Sequence, residues 1–180
     1  MRIAAIVGMA GAGKSEVARQ FRAKGFAIVR FGDATDEEVK RRGLELNEAN
    51  ERQVREALRQ EHGMAAYAKL NIPRIDAALQ KGKVVLDGLY SWEEYLLLKD
   101  HYGDDLRLVA VWASPHTRYE RLATRQVRPL NAGEAAARDR AEIENSNKGG
   151  PIAMADYLIT NEWTMADLVV QTEHLLARLG

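Results

Sequence analysis

Short apolar runs alternate along the chain with longer stretches in which apolar and polar positions mix at helical spacing. Five runs, "RIAAIV", "FAIVRF", "KVVLD", "LRLVAVWA" and "DYLIT", are apolar along most of their length rather than strictly alternating. That pattern predicts strands covered on both faces, as in a parallel sheet. The intervening stretches carry helix start signals. Thr35 with Glu38 and Ser91 with Glu94 have capping-box spacing, and Ser114-Pro115 reads as a cap followed by proline at the first helical position. Thr164 precedes a final helix over roughly residues 165–179. Strand and helix in alternation predict right-handed crossovers and a doubly wound α/β fold.

Two stretches break this rhythm. Residues 34–82 hold about three helical segments between one strand and the next, where one suffices. Residues 127–150 are polar, rich in Arg, Ala, Asn and Gly, and end in "NSNKGGP". Both read as insertions at the same end of the sheet. No internal repeat or linker separates a second unit, so residues 1–180 are expected to form one domain.

Composition changes this picture little. Hydrophobic residues make up 46% and charged residues 29%, the proportions of an ordinary globular chain. The formal net charge is zero, so no overall field argues for a nucleic-acid or membrane partner. Cysteine is absent, which excludes disulfides, thiolate metal sites and a cysteine nucleophile. The N-terminal apolar stretch is too short for a secretory signal, and no run approaches the ~20 residues needed to span a bilayer. The expected location is the cytoplasm, as a monomer or homodimer. One bias stands out: 18 arginines against 8 lysines, in favour of the side chain whose planar fork suits phosphate.

Candidate chemistry begins at "GMAGAGKS", residues 8–15, directly after the first apolar run. It satisfies G-x-x-x-x-G-K-[ST] between a predicted strand and a predicted helix, which defines a P-loop. Gly8, Gly11 and Gly13 let the backbone curl so that its N–H groups converge on phosphate oxygens at a helix N-terminus. Lys14 is placed to bridge the β- and γ-phosphates, and Ser15 to offer a hydroxyl to Mg²⁺. A dinucleotide G-x-G-x-x-G is ruled out by Ala10. The expected architecture is therefore a three-layer αβα P-loop NTPase fold around a five-stranded parallel sheet.

Asp87 ends the run "KVVLD", at the strand edge that faces the ligand crevice in an open α/β sheet. Two readings fit it: a carboxylate holding a Mg²⁺-bound water beside Ser15, or a turn residue before Gly88. Asp33, in "RFGD", is either a base for a substrate hydroxyl or a cap for the helix starting near Thr35. Six arginines (Arg118, Arg121, Arg125, Arg128, Arg138 and Arg140) fall in or near the second insertion. They fit a mobile lid that closes over a transferring phosphate, or a solvated face paired with Glu120, Glu134, Asp139 and Glu142.

A guanine-reading N-K-x-D is missing, since "NKGG" lacks the aspartate, and so is the D-x-x-G of a switch protein. A short P-loop chain with a long insertion on one side and a basic one on the other fits phosphoryl transfer from ATP to a small acceptor. A nucleotide-gated regulator with little kinase activity is the alternative from another class.

The chain resembles the nucleoside monophosphate kinase and dephospho-CoA kinase superfamily, closest to an uncharacterised adenylate-kinase-related branch. The segments that carry the resemblance are "IVGMAGAGKSEVA", "GDATDEEVKRRGLE", "KVVLDGLYSWEEY", "ASPHTRYERLATR", "RDRAEIE" and "MADYLITNE". The resemblance implies an ATP site built from Gly8, Gly11, Ala12, Gly13, Lys14, Ser15 and Glu16, with Thr160 and Asn161 flanking the adenine. It implies Mg²⁺ at Ser15 and Asp87, catalytic roles for Lys14, Arg121, Arg125 and Arg138, and acceptor contacts from Arg41, Arg42 and Arg55. It implies an acceptor that is nucleotide-like, with dephospho-CoA as the alternative. Two positions depart from the pattern: Tyr90 stands where related kinases often have an acceptor-gripping arginine, and Trp163 where they continue with glycine.

Overall fold

The computed structural model describes residues 1–126 and 129–179. All five apolar runs form strands: β1 (Ile3–Val7), β2 (Ala27–Arg30), β3 (Val84–Asp87), β4 (Leu106–Trp112) and β5 (Tyr157–Thr160). They pair in parallel in the order β2-β3-β1-β4-β5. β1 is buried at every residue because it lies in the middle with helices on both faces. Its Ile3, Ala5 and Val7 pack into one core, and Ala4 and Ile6 into the other. The outer strands β2 and β5 are only partly buried. At the β5 edge, Gln171 accepts from the Thr160 N–H at 3.0 Å and donates to its carbonyl at 2.7 Å.

Helices α1 (Lys14–Ala23) and α9 (Met165–Leu179) cover one face, burying Val17, Phe21, Leu168 and Leu175 against the sheet. The three segments expected after β2 are α2 (Asp33–Arg41), α3 (Glu48–His62) and α4 (Ala66–Leu79). They share the opposite face with α5 (Trp92–Tyr102) and α8 (Gly149–Ala153). The polar stretch before α8 contains α7 (Ala132–Glu144), packed against α6 (Pro115–Thr124). Among the described residues no helix is long and apolar enough to cross a membrane.

The caps differ in detail from the sequence expectation. Ser114 caps α6 as expected, its Oγ accepting from Thr117 N, and Thr164 and Asp167 cap each other at the start of α9. Ser91 accepts from Glu94 N, but the Glu94 carboxylate takes the Tyr90 N–H rather than that of Ser91, so the box is only half made. The Thr35–Glu38 box does not form. The chain turns straight out of β2, so α2 begins at Asp33 with Gly32 as its cap residue. Thr35 is thereby drawn into the helix, where its buried Oγ1 lies 2.5 Å from the Tyr67 hydroxyl. An unexpected capping box, Asn131 with Glu134, starts α7.

Arg118 fastens α7 to the rest of the molecule. It is 4% exposed, and its guanidinium forks onto the Asp139 carboxylate at 2.8 and 2.5 Å. It also donates to the carbonyls of Ala113 and Ala10. Removing one partner leaves a buried charge, whereas exchanging both for apolar groups does not. Asp139→Ala is therefore expected to cost about 3–5 kcal/mol in urea unfolding. The double variant Arg118→Met/Asp139→Leu is expected to recover only part of that loss, because the carbonyls of Ala10 and Ala113 lose their donor.

Candidate active site

β1 delivers the glycine-rich turn to the C-terminal edge of the sheet, and α1 starts inside it with Gly13 as its cap residue. Gly8 and Gly13 have positive φ, 147° and 99°. A Cβ on Gly8 would meet the Val111 carbonyl oxygen at 2.3 Å, and one on Gly13 the Asn161 Nδ2 at 2.3 Å. At Gly8 the obstacle is backbone; at Gly13 it is a side chain, and the left-handed φ is what favours glycine there. No side chain caps α1 among the described residues, which leaves its positive end to a ligand. Gly11 and Ala12 complete the curl. The Ala12 carbonyl accepts from Asn161 Nδ2 at 2.9 Å, so the end of β5 is pinned to this turn.

A cleft of about 170 Å³ opens beside the turn, lined by Lys14, Ser15, Arg30, Asp87, Tyr90, Arg138, Glu142 and Lys148 among others. Lys14 Nζ donates to the Met9 carbonyl at 3.0 Å. Desolvation, with help from Lys148 and Arg138, brings its pKa down to about 7 against the pull of Glu142 and Asp87. Ser15 Oγ lies 3.4 Å from Asp87 Oδ2, because the β1–β3 register sets Asp87 opposite Ile6. A hydroxyl and a carboxylate facing each other beside a phosphate cradle fit Mg²⁺, which takes few protein ligands and completes its shell with phosphate oxygens and water.

Of the expected arginines, Arg138 lines this cleft, its Nε donating to Glu142 Oε1 at 3.2 Å. Arg121 stands apart, with Nη2 3.5 Å from Asn161 Oδ1 and Nη1 buried without a protein partner among the described residues. Arg125 follows the last residue of α6 and does not line the cleft. Arg118 holds α7, Arg140 pairs with Glu144 on the surface, and Arg128 lies outside the described residues. Glu16 pairs with Arg19 along α1. Arg41 and Arg42 both bind Glu38, and Arg55 lies 3.5 Å from Glu51. Asp33 is the first residue of α2 rather than its cap, 3.8 Å from Arg30 and half-exposed beside Gly32 of the cleft wall.

Lys148, which no motif singled out, and Tyr90 also shape the cleft. Lys148, almost wholly buried, donates to Glu142 Oε2 at 2.8 Å. Burial alone would raise the Glu142 pKa, but Lys148, Arg138 and Lys14 hold it at about 2. Only the second partner of Glu142, Arg138, was signalled in the sequence, by its i,i+4 spacing. Tyr90, at the departure noted above, packs edge-on against Tyr67 with ring centres 5.6 Å apart. Burial, then Asp87, raises its pKa. Trp163, at the other departure, is 65% exposed.

The AAA domain family matches residues 5–145. A UPF0200 protein of Thermococcus onnurineus is 35% identical over 178 residues, covering 97% of this chain and 96% of the relative. Among solved structures, TT1252 of Thermus thermophilus superposes with a TM-score of 0.63 at 23% identity, over 99% of this chain and 97% of that one. A shikimate kinase of Bacteroides thetaiotaomicron does so with a TM-score of 0.63 at 14% identity, over 98% and 97%. These likenesses show the P-loop kinase-like fold.

Beneath Tyr90, Glu94 is fully buried, with Oε1 lacking a protein partner among the described residues. Burial drives its pKa up to about 8, against the Tyr90 N–H and Arg59. The folded state thus binds a proton more tightly than the unfolded chain, so the stabilisation is complete below about pH 4.5 and is lost as pH rises through about 8. Glu94→Gln removes this titration. The unfolding free energy of the wild type from urea titrations is expected to fall relative to the variant between pH 5 and 9, by a few kcal/mol in order of magnitude.

Proposed function

The chain belongs to the UPF0200 family, and we propose that it is a Mg²⁺- and ATP-dependent kinase that transfers the γ-phosphate to a small, nucleotide-like acceptor. The observation that carries the reading is the convergence of Lys14, Ser15, Asp87 and Arg138 on one cleft at the C-terminal edge of the sheet.

In this reading residues 1–180 work as one kinase domain. The P-loop amides and Lys14 hold the β- and γ-phosphates. Asn161 and Thr160 flank the adenine, with Arg121 alongside. Ser15 and Asp87 hold Mg²⁺, which when bound draws charge from the phosphate oxygens. Residues 129–150 act as a lid that Arg118 holds over the cleft, with Arg125 at its root; its Arg138 neutralises charge on the transferring group, and the segment excludes water. Helices α2–α4 form the acceptor side. Asp33 takes the proton of the attacking hydroxyl as its oxygen bonds to the γ-phosphorus, and the bond to the β,γ-bridging oxygen breaks to release ADP. Positioning and preorganised charge supply most of the rate, since little covalent work falls to side chains.

The test is ADP release with nucleoside monophosphates, dephospho-CoA and nucleosides offered in turn, against ATP alone. One acceptor class is expected to raise turnover well above the basal rate. Turnover indifferent to every acceptor would favour the nucleotide-gated regulator. Lys14→Ala is expected to lower kcat by roughly 10³-fold or more at an unchanged melting temperature, because it removes a charge from the transition state and nothing from the core. Asp33→Asn is expected to lower kcat at least ~10-fold with ATP affinity retained, as loss of a base does.

A further inference from the structure

Granting the kinase reading, we propose that Lys148 is a further cation of the transfer cleft, meeting the phosphoryl group from the acceptor side, and that Glu142 is the residue that positions it.

The segment after α7 is built to turn this lysine inward. Asn147 has a positive φ of 49°, and its side chain donates to Glu93 Oε1 at 2.9 Å. Residues other than glycine keep that conformation only where their surroundings enforce it. The Lys148 N–H donates to the Glu142 carbonyl at 3.2 Å. On the far side Gly150 sits against Trp92, where a Cβ would lie 2.6 Å from the indole Cε3. With its backbone held on both sides, Lys148 reaches the cleft at 3% exposure. Its Nζ lies 2.8 Å from Glu142 Oε2 and 5.6 Å from the centre of the Tyr90 ring.

A lysine buried only as a tether calls for a carboxylate of its own. Glu142 is shared instead, because its other oxygen accepts from Arg138. Four cations, Lys14, Arg30, Arg138 and Lys148, line the cleft with two carboxylates, Asp87 and Glu142. Arg30 is matched by Asp33, so the cations left against the two carboxylates are Lys14, Arg138 and Lys148, preorganised donors for an anion entering beside Lys14. Burial lowers the Lys148 pKa, and Glu142, by charge and hydrogen bond, opposes it and favours the ammonium. One carboxylate thus fixes the spacing of two cations. Arg138 enters the cleft from α7, and Lys148 enters it beside the Tyr90 ring.

The probe is Mg-ADP with aluminium fluoride, a mimic of the transferring phosphoryl group, measured against Mg-ADP alone in wild type, Lys148→Met, Lys148→Arg and Glu142→Gln. Mg-ADP affinity is expected to stay within a few-fold of wild type in all three variants, while Lys148→Met and Glu142→Gln, which each break a buried pair, are expected to lower the melting temperature and Lys148→Arg to lower it less. Aluminium fluoride should tighten ADP binding in wild type. Lys148→Met should lose at least ~10-fold of that gain, Glu142→Gln part of it, and Lys148→Arg should restore part. With an accepted acceptor, Lys148→Met should lower kcat by ~10²-fold at an unchanged KM for ATP, the size of effect known for one lost preorganised donor.

Equal tightening in Lys148→Met and wild type, or none in wild type, overturns the proposal. So does a joint fall of Mg-ADP affinity and melting temperature that Lys148→Arg does not relieve, which marks a tether. If no acceptor supports turnover but the aluminium fluoride pattern holds, the kinase reading fails and the anion role of Lys148 stands.

Discussion

One guanidinium holds together the parts that make the cleft. Arg118 bonds the carbonyl of Ala10 in the glycine-rich turn, that of Ala113 after β4, and the carboxylate of Asp139 on α7. Its donors are spent on fixed acceptors away from water, so the three segments keep one mutual geometry. Arginine suits this because its planar fork serves two directions at once, which a lysine does not. The position of Arg138 relative to Lys14 depends on that joint, since Arg138 sits one residue before Asp139.

The same helix handles charge in two ways. Asp139 points inward to a buried, fully matched pair, and Glu142 is left to serve Arg138 and Lys148 together. Matched charge gives rigidity, while under-matched charge gives a field. Both devices lie within a single turn of α7, so the mechanical and electrostatic roles are inherited together.

The fold was legible because its signals are local. Five apolar runs, a glycine-rich turn and the Ser114-Pro115 cap each specify their own stretch of backbone, and the parallel sheet follows from the order. Asp87 was legible for the same reason, standing one strand end away from Ser15. The arginines were not, because helical spacing places Arg118, Arg121 and Arg125 near one another without saying which turns inward. Only tertiary packing separates the buried clamp from the residue beside Asn161. Thr35 was misread because a buried Tyr67 hydroxyl, 32 positions away, competed for its side chain. Lys148 gave no signal at all, since its burial depends on a left-handed asparagine and on a glycine pressed against Trp92.

The amide of Gln171 has a consequence beyond the cleft. By taking both the N–H and the carbonyl of Thr160, it occupies the rim of the sheet as another strand would. An outer strand with open backbone groups is a template for stray chains, and sheet proteins survive crowded conditions by blunting it. Here a side chain from the last helix does so at the end of β5. The final helix therefore protects the protein from its own kind as well as completing the core.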